Sequence, residues 1–102
     1  MLTTNDLLDR VKSRHGIPSD YQLAHFLKVT PASISKHRTK PHGMDDQLAL
    51  RVAEAAGMAV EYVLVCAAVE RAKRTQEKAA WLRLAAWVEM RQSEFARVPA
   101  LD

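Results

Sequence analysis

The sequence predicts an all-helical (all-α) fold, and three observations carry that prediction. Apolar residues recur at three- and four-residue steps along most of the chain, the period of a helix with one buried face. Most of these runs are bracketed by a capping residue in front and a glycine, proline or weak interruption behind. No stretch makes a convincing strand. At 102 residues, the chain is long enough for one domain with a single modest core.

Taken in order, Thr3 caps a first helix, and Asp6 at its third position is favoured by the helix dipole. Leu7, Leu8 and Val11 form its buried face, and Gly16 ends it. Ser19 caps a second helix, with Gln22 three residues later in capping-box register. Leu23, Ala24 and Leu27 share one face of it. Thr30 caps a third helix, Pro31–Lys40, and Pro31 stands at the first helical position, where proline is welcome. Lys40-Pro41-His42-Gly43 reads as a loop. Asp45 caps a fourth helix with apolar Leu48, Leu50, Val52, Ala55 and Ala56, closed by Gly57. A fifth runs from about Val60 to Ala72 and is apolar nearly all round, so it must be buried on several sides. Thr75 is the expected cap of a sixth, reaching about Ala96, with Trp81, Leu84, Ala85, Val88 and Phe95 on one stripe. Pro99 and the last residues are expected to fray.

The second and third helices, with the short turn Leu27-Lys28-Val29 between them, have the pattern of a DNA-reading helix-turn-helix. Ile34 points inward. Ala32, Ser35, Lys36 and Thr39 lie on or near the opposite side, because each residue advances about 100°. They are small, polar or basic, which suits a helix lying in a major groove.

These residues resemble the Cro-type and xenobiotic-response-element helix-turn-helix proteins of phages and bacteria. The likeness rests on the pair Leu23-Ala24, the short turn, the cap Thr30-Pro31 and the pair Ile34-Ser35, and it extends from about Thr3 to about Gly57. The stretch from Glu70 to Ala85 more weakly resembles the tail of some phage-related Cro-like proteins. Two positions depart from the family. Lys28 stands where glycine is common in a left-handed turn, at a cost of about 1 kcal/mol. Pro31 replaces a residue that is often polar and reads bases, which shifts weight toward reading DNA shape. The resemblance implies a lambda-repressor/Cro-like domain of four to five helices with an added C-terminal helix. Residues 1–57 would be the DNA-binding core. Residues 58–102 would cover the core and dimerise within the same compact domain.

Charge is unevenly placed. Residues 1–43 hold seven Lys/Arg against three acids, a net of +4, and the remainder nets −1. All four histidines lie in the basic part. A basic half carrying a helix-turn-helix reads as the phosphate-facing half. Cys66 is the sole cysteine, so no internal disulfide forms and a reducing, cytoplasmic setting fits. The N-terminus lacks the apolar core of a signal peptide, and Met58 to Val69 is too short to span a bilayer.

Lys36 is the leading base reader, as a donor to the acceptors of guanine. Ala32 offers a methyl to thymine, and Ser35 and Thr39 offer hydroxyls. Arg38 and Lys40 are expected on phosphates, which set register rather than sequence preference. Tyr21, Gln22, Lys28 and Ser33 are further phosphate candidates, with Gln22 open to capping instead. The four histidines match no zinc spacing, and an imidazole at position 37 is expected to be partly packed. His37 and His42 would add charge at low pH. No metal or cofactor is expected. Cys66 is expected to be buried and inert. No catalytic constellation is present, so the chain is expected not to be an enzyme.

The expectation is a DNA-binding transcription regulator, a phage or prophage Cro-like repressor. It would act as a homodimer on a double-stranded operator through Trp81, Leu84, Ala85 and Val88. The rival is a protein-binding module on the same fold, an antirepressor or an antitoxin whose C-terminal helices hold a partner protein. Asp20, a carboxylate near the DNA-facing edge, favours the rival.

Overall fold

The computed structural model describes residues 1–91 and is all-helical over them. Six helices follow one another: α1 (Thr4–His15), α2 (Asp20–Leu27), α3 (Pro31–Thr39), α4 (Asp46–Ala56), α5 (Val60–Arg71) and α6 (Thr75–Met90). The expected continuation of the last helix to Ala96, with Phe95, and the fraying at Pro99 lie outside the described residues.

Local chemistry sets the first four starts. The hydroxyls of Thr3, Ser19 and Thr30 and the carboxylate of Asp45 each accept a backbone N–H from the opening turn of the helix that follows. Thr3 and Asp6 close a full capping box, each side chain accepting from the other's backbone N–H. Ser19 makes half of one: it accepts from the Gln22 N–H at 3.1 Å, and the box is not completed from the Gln22 side. α6 departs from the expectation. Its N-cap is Arg74, without a side-chain cap, and Thr75 is its first helical residue.

Three helices end in the left-handed conformation, at Gly16, Lys28 and Gly57. Around Lys28 the closure is a Schellman arrangement, with Val29 N–H donating to the Ala24 carbonyl at 2.9 Å and Lys28 N–H donating to His25 at 3.2 Å. Lys28 holds φ 60° there, the only non-glycine positive φ among the described residues. The turn expected at this position is therefore present, on a residue that pays for it sterically.

One core joins the helices. Leu7, Leu8 and Val11 of α1, Leu23 and Ala24 of α2, Ile34 of α3 and Val52 of α4 are all fully buried. Tyr62, Val63, Cys66 and Ala67 of α5 and Val88 of α6 belong to the same cluster. The helices after residue 57 are thus part of the packing that seats the first four. α5 lies against α1, α4 and α6, as its all-round apolar surface requires. Two expected core positions point outward instead: Leu50 and Val60 are exposed. Ala49 and Ala53 take the buried face of α4. Among the described residues, no helix is long and apolar enough to cross a membrane.

Candidate nucleic-acid interface

α2 and α3 form a helix-turn-helix whose second helix divides cleanly into an inner and an outer face. Ile34, His37 and Arg38 sit at three- and four-residue steps and face the body of the protein. Ile34 is fully buried and His37 is 4% exposed. Ala32, Ser35, Lys36, Thr39 and Lys40 are exposed, and Ser33 is half-buried. All four expected base readers therefore share the solvent face of one helix.

Their donors are not all free. The Thr39 hydroxyl donates to the Ser35 carbonyl at 3.0 Å, so Thr39 has only lone pairs left to offer. It suits an exocyclic amine of adenine or cytosine, and not an acceptor. Lys36 forms no ion pair or hydrogen bond among the described residues, and its ammonium is available.

Arg38 is a correction. Instead of pointing at phosphate, its guanidinium turns inward across three helices. It donates to Asp20 Oδ2 at 3.1 Å and Asp20 Oδ1 at 3.2 Å, to Asp9 Oδ1 at 2.7 Å and to Asn5 Oδ1 at 3.3 Å. The side chain is only 22% exposed. Asp20 also accepts from Lys12 Nζ at 3.0 Å. The Arg38 hydrogen bond, aided by Lys12, holds the Asp20 carboxyl below the usual carboxylate range. Asp20 is thus a neutralised anchor for α3, and the repulsion of DNA expected from it is offset by two cations. Sequence spacing gives no sign of this cluster, because Asp20 and Arg38 are far apart along the chain.

A second support was also missed. Arg51 of α4 reaches under the turn and donates to the carbonyls of Leu27 at 3.2 Å and Lys28 at 3.0 Å. These are orphan acceptors at the C-terminal end of α2. One guanidinium therefore locks the turn that sets the relative placement of α2 and α3.

The other phosphate candidates are spread more widely. Tyr21 is 62% exposed, its ring edge-on to His25 at 4.8 Å. Gln22 and Lys28 are exposed. Lys28 stands beside a cleft lined by His15, Phe26 and Arg51, away from the outer face of α3.

At the far end of α3, His37 stacks on His42 with ring centroids 4.2 Å apart and planes 9° apart. The pair borders a groove of about 500 Å³ shared with Ser33, Lys36, Asp45 and Arg71. The packed imidazole expected at position 37 is present. Burial, and then the neighbouring His42, push its pKa below the ordinary 6.5. Among the described residues no cluster of His, Cys, Asp and Glu is arranged to hold a metal. Cys66 is 1% exposed, and burial pushes its thiol up.

The surface expected to dimerise is only half available. Ala85 and Val88 are 2% and 6% exposed; they face α5, and Val88 joins the main core. Trp81 is half-buried beside them. Within that set Leu84 alone is well exposed, at 49%. The outward stripe of α6 is instead Ala80, Arg83, Leu84 and Trp87. The sequence misled because apolar residues occupy both sides of this helix, and periodicity does not say which side meets α5.

No protein-family model matches the chain, and no match is found among curated proteins or among solved structures.

Proposed function

We propose that this protein binds double-stranded DNA in a sequence-dependent way, with α3 in the major groove, and acts as a transcriptional regulator of the Cro-like kind. One observation carries the reading. α3 is fixed from behind by Ile34, His37 and Arg38, while its outer face of Ala32, Ser35 and Lys36 is exposed and performs no task within the fold. A small, rigidly held polar and basic helix face matches what direct readout of base edges demands. Lys40, Tyr21, Gln22 and Ser33 would grip phosphates, and the basic balance of residues 1–43 favours the same partner. Ala32 would meet a thymine methyl, Ser35 and Thr39 would add hydrogen bonds, and Lys36 would donate to guanine. A single α3 covers few base pairs. The regulator is therefore expected to act as a homodimer on half-sites about 34 Å apart.

Selection of bound duplexes from a random library, followed by measurement at several salt concentrations, tests this. A recovered consensus that Lys36→Ala relaxes at one position supports the assignment. Uniform weak binding with no consensus sinks it.

The second reading, a protein-binding module, has its own support in α6. Leu84 and Trp87, three residues apart on its outward side, are 49% and 51% exposed, an apolar surface of the kind that marks partner contacts. A pull-down with a chain carrying Leu84→Glu would separate a partner held by α6 from one held by α3.

A further inference from the structure

His37 is the one buried titratable group in the inner face of α3. Its Nδ1 is shielded from solvent and has no hydrogen-bond partner among the described residues. A neutral imidazole tolerates this by keeping its single hydrogen on Nε2. A protonated ring cannot, because both nitrogens then carry hydrogen. It would bury an N–H with no acceptor together with a positive charge. The ring is also stacked flat on His42 at 4.2 Å, whose own Nδ1 lies 2.8 Å from the Lys40 carbonyl. Protonation of both rings would set two like charges face to face.

The surrounding charges do not rescue the cation. Lys36 on α3 opposes it. Glu70 on α5 and Asp45 at the head of α4 favour it, but both carboxylates are already engaged. Glu70 accepts the Thr4 N–H at 2.8 Å, and Asp45 accepts the Leu48 N–H at 2.8 Å. Arg71 on α5 borders the same groove and pairs with Asp46 at 3.3 Å. Desolvation therefore wins.

We propose that His37 is a positioning residue with a proton-operated release. Neutral, it seats the C-terminal half of α3 against the loop 40–45 through its stack on His42. Protonated, it frees that end and disperses the orientation of Lys36 and Thr39. The consequence for DNA rests on the reading above; the release of α3 does not.

The sign follows from linkage. With its folded pKa below its unfolded value, His37 binds fewer protons in the folded state. Stability then rises with pH across that interval and falls as pH drops below 6.5. Carboxylate linkages act lower, below 3.8 for Asp6 and Asp20, so the window from pH 7.5 to 5 reports on imidazoles, and the comparison with a His37 variant separates His37 from His15, His25 and His42.

The test uses the full chain as parent, His37→Phe and His42→Ala. Urea unfolding is followed from pH 5 to 8, with ring NMR of His37. A duplex selected at pH 7.5 is then bound at pH 7.5 and 5.5. The parent should lose more stability on acidification than His37→Phe, which keeps the flat ring and the other three histidines. His42→Ala should show a smaller loss than the parent. Because one linked proton changes an equilibrium at most about ten-fold per pH unit, the parent should lose roughly three- to ten-fold in affinity relative to His37→Phe. Should His37→Phe not fold, His37→Gln serves as the non-titrating variant. Equal acid loss in parent and variant overturns the proposal, as does a His37 ring that titrates at or above 6.5. If the stability arm behaves as expected and no duplex binds at any pH, the DNA reading fails and the release stands. If duplexes bind with an unchanged ratio, the coupling of the release to DNA is overturned.

Discussion

Lys36 and Arg38 stand two residues apart on α3 and do different work. Lys36 is exposed and unpaired among the described residues, so Lys36→Ala should leave the unfolding free energy within about 0.5 kcal/mol of the parent. The same change should weaken a selected duplex by about 1–3 kcal/mol. Arg38→Ala should act in reverse. It leaves Asp9 and Asp20 without their shared cation and should destabilise the fold by about 1 kcal/mol, a modest figure because the cluster is partly exposed. Its loss of DNA affinity should follow from a looser α3, with little change in salt dependence. An Arg38→Ala protein of parental stability whose salt slope drops would return Arg38 to the phosphates. Acid supplies a further check. The Asp20 carboxyl is held low by Arg38, so its contribution is present above 3.8 and lost as pH falls through the folded value. Parent and Arg38→Ala should therefore converge in stability at strongly acid pH.

At the scale of elements, what the sequence made legible was local chemistry. The caps Thr3, Ser19, Thr30 and Asp45, the stops Gly16 and Gly57 and the turn at Lys28 all fall where expected, because each is decided within five residues. The outer face of α3 was legible for the same reason: the helical period fixes it once Ile34 is placed inward. The supports behind α3 were not legible. Arg38 meets Asp20, Asp9 and Asn5, and Arg51 meets the Leu27 and Lys28 carbonyls, only after the chain has folded. Two substitutions probe this level. Lys28→Gly removes a Cβ from a left-handed residue and should stabilise the fold by up to about 1 kcal/mol, offset in part by the greater freedom of the unfolded chain. Chemical unfolding reads it, and a loss would show that the Lys28 side chain is held in place. Ala24→Leu adds a branched side chain at a fully buried position between α2 and its neighbours. It should cost about 1–3 kcal/mol, and an unchanged midpoint would contradict the packing around the turn.

For the whole molecule, α6 decides how far one chain is self-sufficient. Its inner side is part of the core, so truncation after Lys73 would strip cover from α5 and confuse folding with assembly. Point changes on its two sides separate them. Val88→Ala removes buried methyls beside α5 and should cost about 1–3 kcal/mol of stability at any protein concentration. Leu84→Glu places a carboxylate on the outward side, at a position 49% exposed, and should leave the unfolding midpoint of dilute protein nearly unchanged. If a second copy covers this stripe, the parent should sediment as a dimer and Leu84→Glu as a monomer. The variant's operator binding should then become much weaker and steeper in protein concentration, because two half-sites must be filled independently. A parent that stays monomeric at high concentration moves dimerisation onto the DNA itself. The outward apolar surface around Leu84 would then be left for a partner of another kind, since a monomer gains nothing in solubility from exposing it.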